Sequence, residues 1–187
     1  FMHNLSERLN YHFRHSENRY NCKEVIVSCS DEPGEGEQKL FLHLRNHIQQ
    51  TDQIAVYGLD SDLIMLSIFH LSYCKNTYIF REAPEFLRSS IPVDVEDNEP
   101  YFVDINALQF GILDHMDCKY NTLHRIQDYV FLCFLLGNDF LPHFPSMNIR
   151  THGIDTLLDI YKTTLGNKEN AYFINPDTKK IDWNYVN

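Results

Sequence analysis

Apolar and polar positions divide this chain into short segments with two different periods. Phe1, Leu5, Leu9 and Phe13 recur every fourth residue with polar residues between them, which predicts an amphipathic helix over 1–17. Residues 24–29 (E-V-I-V-S-C) form a β-branched run that predicts a buried strand, followed by a turn at Asp31-Glu32-Pro33-Gly34. A second helix is predicted from about Glu35 to about Gln50, turning Leu40, Phe41 and Leu44 inward. Residues 54–57 read as a second strand closed by Gly58, 62–71 as a helix, and 77–80 as a third strand. The acidic, proline-interrupted stretch 84–100 reads as a loop. A strand at 101–105 then leads into a helix to residue 115, and a strongly apolar helix covers 123–136. A loop with two prolines spans 137–146, a helix 153–164, and a hairpin 171–183 through Asn175-Pro176-Asp177.

Strands alternating with helices predict an α/β layered fold, with a mainly parallel central sheet flanked by helices. In such folds sites form beyond the carboxyl ends of the strands, so the residues that follow each strand are where chemistry is expected.

Composition changes this picture little. Hydrophobic residues make up 43% and charged residues 22%, ordinary for a globular chain. The densest apolar stretch, 129–136, is far short of the roughly 20 residues that cross a bilayer, so no membrane partner is expected. No basic, apolar leader opens the chain at Phe1-Met2-His3, which predicts an intracellular protein or a segment of one. The five cysteines lack C-x-x-C spacing and read as reduced thiols. His43 and His47 stand at helical spacing, but no Glu follows His43 in the zinc-protease pattern, so both are read as facing solvent. The formal net charge of −10 argues against a nucleic-acid partner only if the acids are unpaired; two divalent cations would offset four of those charges.

Three acidic clusters carry the candidate chemistry. Glu35 and Glu37 follow the first predicted strand, Asp60 and Asp62 the second, and Asp139 the apolar helix ending in Leu135-Leu136-Gly137-Asn138. Each has a structural explanation: acids are favoured at helix N-termini, and Asx residues cap helices and shape turns. That explanation must repeat at the ends of successive apolar elements, whereas converging carboxylates repel and need cations. Oxygen-only ligands select Mg²⁺ or Mn²⁺ over zinc. A carboxylate cage around two such ions performs metal-assisted phosphodiester hydrolysis.

The spelling of the clusters is more specific than their chemistry. Residues 33–39 (P-G-E-G-E-Q-K) resemble the P-G-E-G-E-H-K signature of the Xrn/Rat family of 5′→3′ exoribonucleases. Residues 57–66 (Y-G-L-D-S-D-L-I-M-L) and 131–143 (F-L-C-F-L-L-G-N-D-F-L-P-H) are similar to two further blocks of that family. Phe80-Arg81-Glu82 and Ile154-Asp155 with Leu157, Leu158, Tyr161 and Lys162 follow in the family's order. Gln38 stands where the family has His, and Ser61 where it has Ala; neither removes a carboxylate.

The resemblance implies a flap-endonuclease/PIN-like fold and processive removal of nucleotides from single-stranded RNA with a 5′-monophosphate. It implies that Glu35, Glu37, Asp60, Asp62 and Asp139 ligate Mg²⁺ or Mn²⁺, two ions in the complete enzyme. Residues 1–187 then correspond to the C-terminal part of the conserved catalytic region. An N-terminal remainder of that region supplies further aspartates and the 5′-phosphate pocket. Lys39 and Arg81 are read as solvated charges outside the ligand set, and Asn138 as shaping the turn that presents Asp139. The alternatives are a structure-specific flap or DNA nuclease of the same superfamily, and a catalytically dead RNA-binding relative. The extended P-G-E-G-E and L-G-N-D-F-L-P-H spellings favour the exoribonuclease over the flap nuclease, and retention of all five carboxylates speaks against the dead relative, with the five expected to converge in space.

Overall fold

The computed structural model describes residues 1–82, 99–139, 141–145 and 152–186. The chain forms two compact units, Phe1–Ile48 and Gln49–Asn187.

In the first unit, α1 (Met2–Phe13) has the predicted period but buries little with it. Phe1 is 94% exposed, and the buried residue of the helix is Ser6, whose hydroxyl lies 3.1 Å from that of Ser30. A short helix, α2 (Glu17–Tyr20), follows. The strand expected at 24–29 does not form: Val25, Val27 and Cys29 are half-buried in alternation with exposed neighbours, but no ladder partner lies beside them among the described residues. A strand without a partner leaves its amides to water, so the alternation survives without the ladder. In its place the Lys39 ammonium donates to the Cys29 carbonyl at 2.7 Å, tying the segment to α3 (Gly36–His47). This helix buries Phe41 and Leu44 but leaves Leu40 at the surface, and it ends at His47 rather than near Gln50.

The second unit is built on a three-stranded sheet in the order β1 (Gln53–Tyr57), β2 (Asn76–Glu82), β3 (Pro100–Asp104). The β1–β2 pair is parallel, joined through α4 (Asp62–Phe69) and a 3₁₀ turn at His70–Ser72, as a βαβ crossover requires. The β2–β3 pair is antiparallel. The α/β class therefore holds, but the described sheet is mixed rather than mainly parallel. The central strand β2 buries Thr77, Ile79 and Arg81 on one face.

Helix α5 (Ile105–Met116) follows β3 directly, capped by the Asp104 carboxylate, which accepts from the Ala107 amide at 2.9 Å. Then come α6 (Arg125–Leu135), α7 (Gly153–Thr163) and α8 (Trp183–Val186). Ile68, Ile79, Ile105, Met116, Val130, Leu132 and Tyr161 meet in one apolar cluster. The expected hairpin near the chain end is a single antiparallel bridge, Ile174 to Ile181, whose turn is fixed by the Asn175 side chain accepting from the Asp177 and Thr178 amides.

Helix α6 is not the simple apolar helix its composition predicts. Arg125 and Asp128 are fully buried within it. Arg125 donates from Nε to Tyr120 O (2.6 Å), from Nη1 to Tyr161 Oη (2.7 Å) and Ala171 O (3.2 Å), and from Nη2 to Leu165 O (3.2 Å) and Lys168 O (2.8 Å). Asp128 accepts from the amides of Phe173 (3.0 Å) and Ile174 (2.8 Å) and from the Tyr161 hydroxyl.

Candidate active site

The carboxylates sit where two kinds of chain reversal put them. After β1, the Gly58 amide donates to Phe80 O at 3.3 Å, holding the chain against β2 for one more residue. A Cβ at Gly58 would meet Leu63 Cδ1 at 2.2 Å, so any larger residue there requires the end of that flexible side chain to shift, and no left-handed φ is involved. The Asp60 carboxylate then accepts from the Asp62 amide at 3.2 Å, an Asx turn that opens α4. Asp60 is exposed, and Asp62, in the first turn of α4, is half-buried where the helix dipole favours its charge.

Beneath this turn lies a residue that sequence reasoning misjudged. Arg81 is only 5% exposed and donates from Nη2 to Leu59 O at 2.8 Å. Its Nε is buried without a hydrogen-bond partner among the described residues. It is therefore a buried cation beside the Asp60–Asp62 turn, not a solvated charge. The signal was present in the alternation Thr77, Ile79, Arg81, which places Arg81 on the buried face of β2.

Asp139 is exposed, beyond the C-terminus of α6. Gly137 adopts φ +96°, and a Cβ there would lie 2.9 Å from the His143 backbone nitrogen, so only glycine fits. Asn138 shapes this turn as expected: its side chain accepts from the Leu141 amide at 2.8 Å, and its own amide donates to Leu141 O at 2.9 Å.

In the first unit, Glu35 is the exposed N-cap residue of α3 and Glu37 is half-buried in its first turn, following Gly34 at φ +99°. Lys39, like Arg81, has a structural bond rather than a free charge. His43 and His47 stack with ring centroids 4.3 Å apart, His43 half-buried, and His47 Nδ1 pairs with the His43 carbonyl at 3.0 Å.

The donor set suits a hard cation in kind: all five candidates offer carboxylate oxygens at helix starts or turns and remain at least partly open to solvent. The described residues do not by themselves assemble a shell, since no three His, Cys, Asp or Glu side chains among them are placed to hold one ion. Glu35 and Glu37 belong to one unit, and Asp60, Asp62 and Asp139 to the other. The cysteines are all free, as read, and burial pushes the Cys133 thiol up to about 11, which makes it a poor nucleophile.

Comparison with known proteins gives these motifs a common context. Residues 1–83 match the family model described as "XRN 5'-3' exonuclease N-terminus", and residues 119–187 match "Xrn1 helical domain". Among curated proteins, the chain is 31% identical to the 5'-3' exoribonuclease 2 of Candida albicans, over 88% of its own length and 20% of the relative. It is 32% identical to that of Arabidopsis thaliana (87% and 20%), and 30% identical to the 5'-3' exoribonuclease 1 of Schizosaccharomyces pombe (88% and 14%). The chain thus spans a fifth or less of the length of these relatives. With both models matched in chain order over most of the sequence, the chain belongs to the Xrn family of 5′-3′ exonucleases.

Proposed function

We propose that this chain is a catalytic segment of a 5′→3′ exoribonuclease with a PIN-like fold, acting on single-stranded RNA that carries a 5′-monophosphate. The observation that carries the reading is the seating of the acidic motif blocks: Glu35 and Glu37 at the start of α3, Asp60 and Asp62 between β1 and α4, and Asp139 past α6, in a chain of Xrn lineage. These five residues would hold two Mg²⁺ or Mn²⁺ ions, directly or through water. When bound, such ions supply a hydroxide nucleophile and stabilise the leaving 3′ oxygen.

The chain's own contribution is placement. Arg81 fixes the Leu59 carbonyl from below, and the Asp62 amide orients the Asp60 carboxylate from the side. Gly137 and Asn138 define the turn that carries Asp139. The Asp60 carboxylate and the turn that carries Asp139 are thereby set by backbone geometry before any ligand arrives, which reduces the ordering left for the moment of reaction. Residues 1–187 form the C-terminal part of the catalytic region in this reading, and the N-terminal remainder supplies the 5′-phosphate pocket.

Asp60→Ala in the complete protein tests the assignment. Hydrolysis of 5′-monophosphorylated RNA in Mg²⁺ is expected to fall at least about 10²-fold, as when a transition-state charge stabiliser is lost. RNA binding and the thermal midpoint should stay near the parent values. Degradation at the parent rate, or a large fall in Tm without loss of hydrolysis, overturns it, and a matched single-stranded DNA substrate separates ribonuclease from DNA nuclease.

A further inference from the structure

Beside α4, α5 and α6, within the second unit, lies a cavity of about 390 Å³, inside the range of small-ligand sites. Phe69 and Phe110 are among its lining residues, as are Lys75, Lys179 and His124. In a chain of net charge −10, the wall contains no carboxylate among the described residues. The cavity is thus a locally cationic site on an acidic protein, which favours an anionic occupant.

Two glutamines define it further. Gln109 is 6% exposed and lines the cavity, yet its carboxamide makes no hydrogen bond among the described residues. Gln127 is 4% exposed, and its Oε1 accepts only a long bond, 3.4 Å, from the Lys179 ammonium. Apart from that one bond, both carboxamides are left to solvent or to a ligand in the cavity, and each offers a donor and an acceptor side by side.

We propose that this cavity binds one nucleotide, its base edge paired with the Gln109 and Gln127 carboxamides and its phosphate held by Lys75 and Lys179. A nucleobase is planar, with alternating donors and acceptors on its edge, and carboxamides match such edges bidentately. Its faces suit the Phe69 and Phe110 rings, and its phosphate suits the lysines. An acidic peptide would answer the lysines but offers no matching plane for two rings and two amides. The same chemistry is presented by a free mononucleotide and by a nucleotide within an RNA strand. The site uses none of the five acidic residues, so it stands apart from the hydrolysis proposed above.

Binding of adenosine 5′-monophosphate to the full-length protein in EDTA, which silences metal-dependent cleavage, tests the proposal. Saturable binding is expected, with ribose 5-phosphate and adenosine each bound about tenfold or more weakly, since each lacks one half of the contacts. Gln109→Leu should weaken the mononucleotide about tenfold without lowering Tm, and Gln127→Leu provides an independent variant if the first fails to fold. Lys75→Ala with Lys179→Ala should bring its affinity down to that of adenosine. An RNA octamer that displaces the mononucleotide assigns the site to a strand; one that does not assigns it to the free nucleotide. No saturable binding, affinity unchanged in the glutamine and lysine variants, or displacement by an acidic peptide at equal affinity overturns the proposal.

Discussion

Arg125 and Asp128 stand three residues apart on α6 and hold the second unit together through partners far away in sequence. The guanidinium serves four carbonyls and a hydroxyl, drawing the 165–171 segment onto the helix, and also lies 4.9 Å over the Tyr172 ring. Arg125→Met strands those acceptors and leaves Asp128 buried beside them; a loss of about 3–5 kcal/mol in urea denaturation is expected, as for breaking a buried charge network. Arg125→Lys should also destabilise, because three rotatable donors cannot reproduce the fork. Burial holds the Asp128 carboxyl above the usual range, against the opposing pull of bonds from Tyr161, Ile174 and Phe173 and the Arg125 charge. A raised carboxyl pKa means the folded state binds the proton more tightly, so the contribution is full below the unfolded pKa and is lost as pH rises through the folded one. Measured against Asp128→Asn, whose side chain does not titrate, the parent should therefore lose stability from about pH 4 upward and then level off. A stability difference that grows with pH would contradict this. Neither residue stood out in the sequence, because a periodicity argument turns charged positions outward, and apart from Tyr120 the partners that satisfy these two lie 33 to 46 residues away.

At the scale of elements, glycine separates two motif blocks that look alike in sequence. Gly137→Ala must place a methyl 2.9 Å from a backbone nitrogen at a left-handed φ, so a loss of more than about 1 kcal/mol and a displaced Asp139 turn are expected. Gly36, the first residue of α3, has no left-handed φ, and a methyl added there would meet nothing within 4 Å. Gly36→Ala should therefore leave thermal stability unchanged or raise it by up to about 1 kcal/mol. If the same variant nonetheless loses hydrolysis, the glycine serves the close approach of a ligand rather than the fold. Calorimetry and an RNA-decay assay on both variants decide between these roles. The elements most legible in sequence were those whose apolar period meets a covering surface. Helices α4, α5 and α6 and strands β1 and β2 fall within a few residues of their expected bounds, because their apolar residues pack into one cluster. The run at 24–29 has the same alternation without a partner strand, and the antiparallel direction of β3 depends on chain geometry that local pattern does not encode.

Across the whole molecule, burial is distributed unevenly, and the candidate carboxylates fall on both sides of that division. The described apolar core runs from Ile68 to Ala171, all in the second unit, whereas the buried hydrophobic residues of the first are Phe41 and Leu44. Phe1, Met2, Tyr11, Ile26 and Leu42 lie half or more exposed in that first unit. Opening free energy follows buried apolar contact, so amides of α6 should exchange with solvent only through global unfolding. Those of α1 and α3 should exchange through local opening, with protection at least about 10²-fold lower. Equal protection in α1 and α6 would show that the division does not govern stability. The same measurement bears on the proposed ions. Glu35 and Glu37 lie at the start of the less buried α3, and a ligand that binds only the ordered form stabilises it by mass action. Adding Mg²⁺ should therefore raise the protection of α3 amides more than those of α6, whose opening is already global. Glu37→Gln should abolish that increment while leaving metal-free exchange unchanged. An Mg²⁺ effect spread evenly over both units, or one that persists in Glu37→Gln, would remove Glu37 from the ligand set.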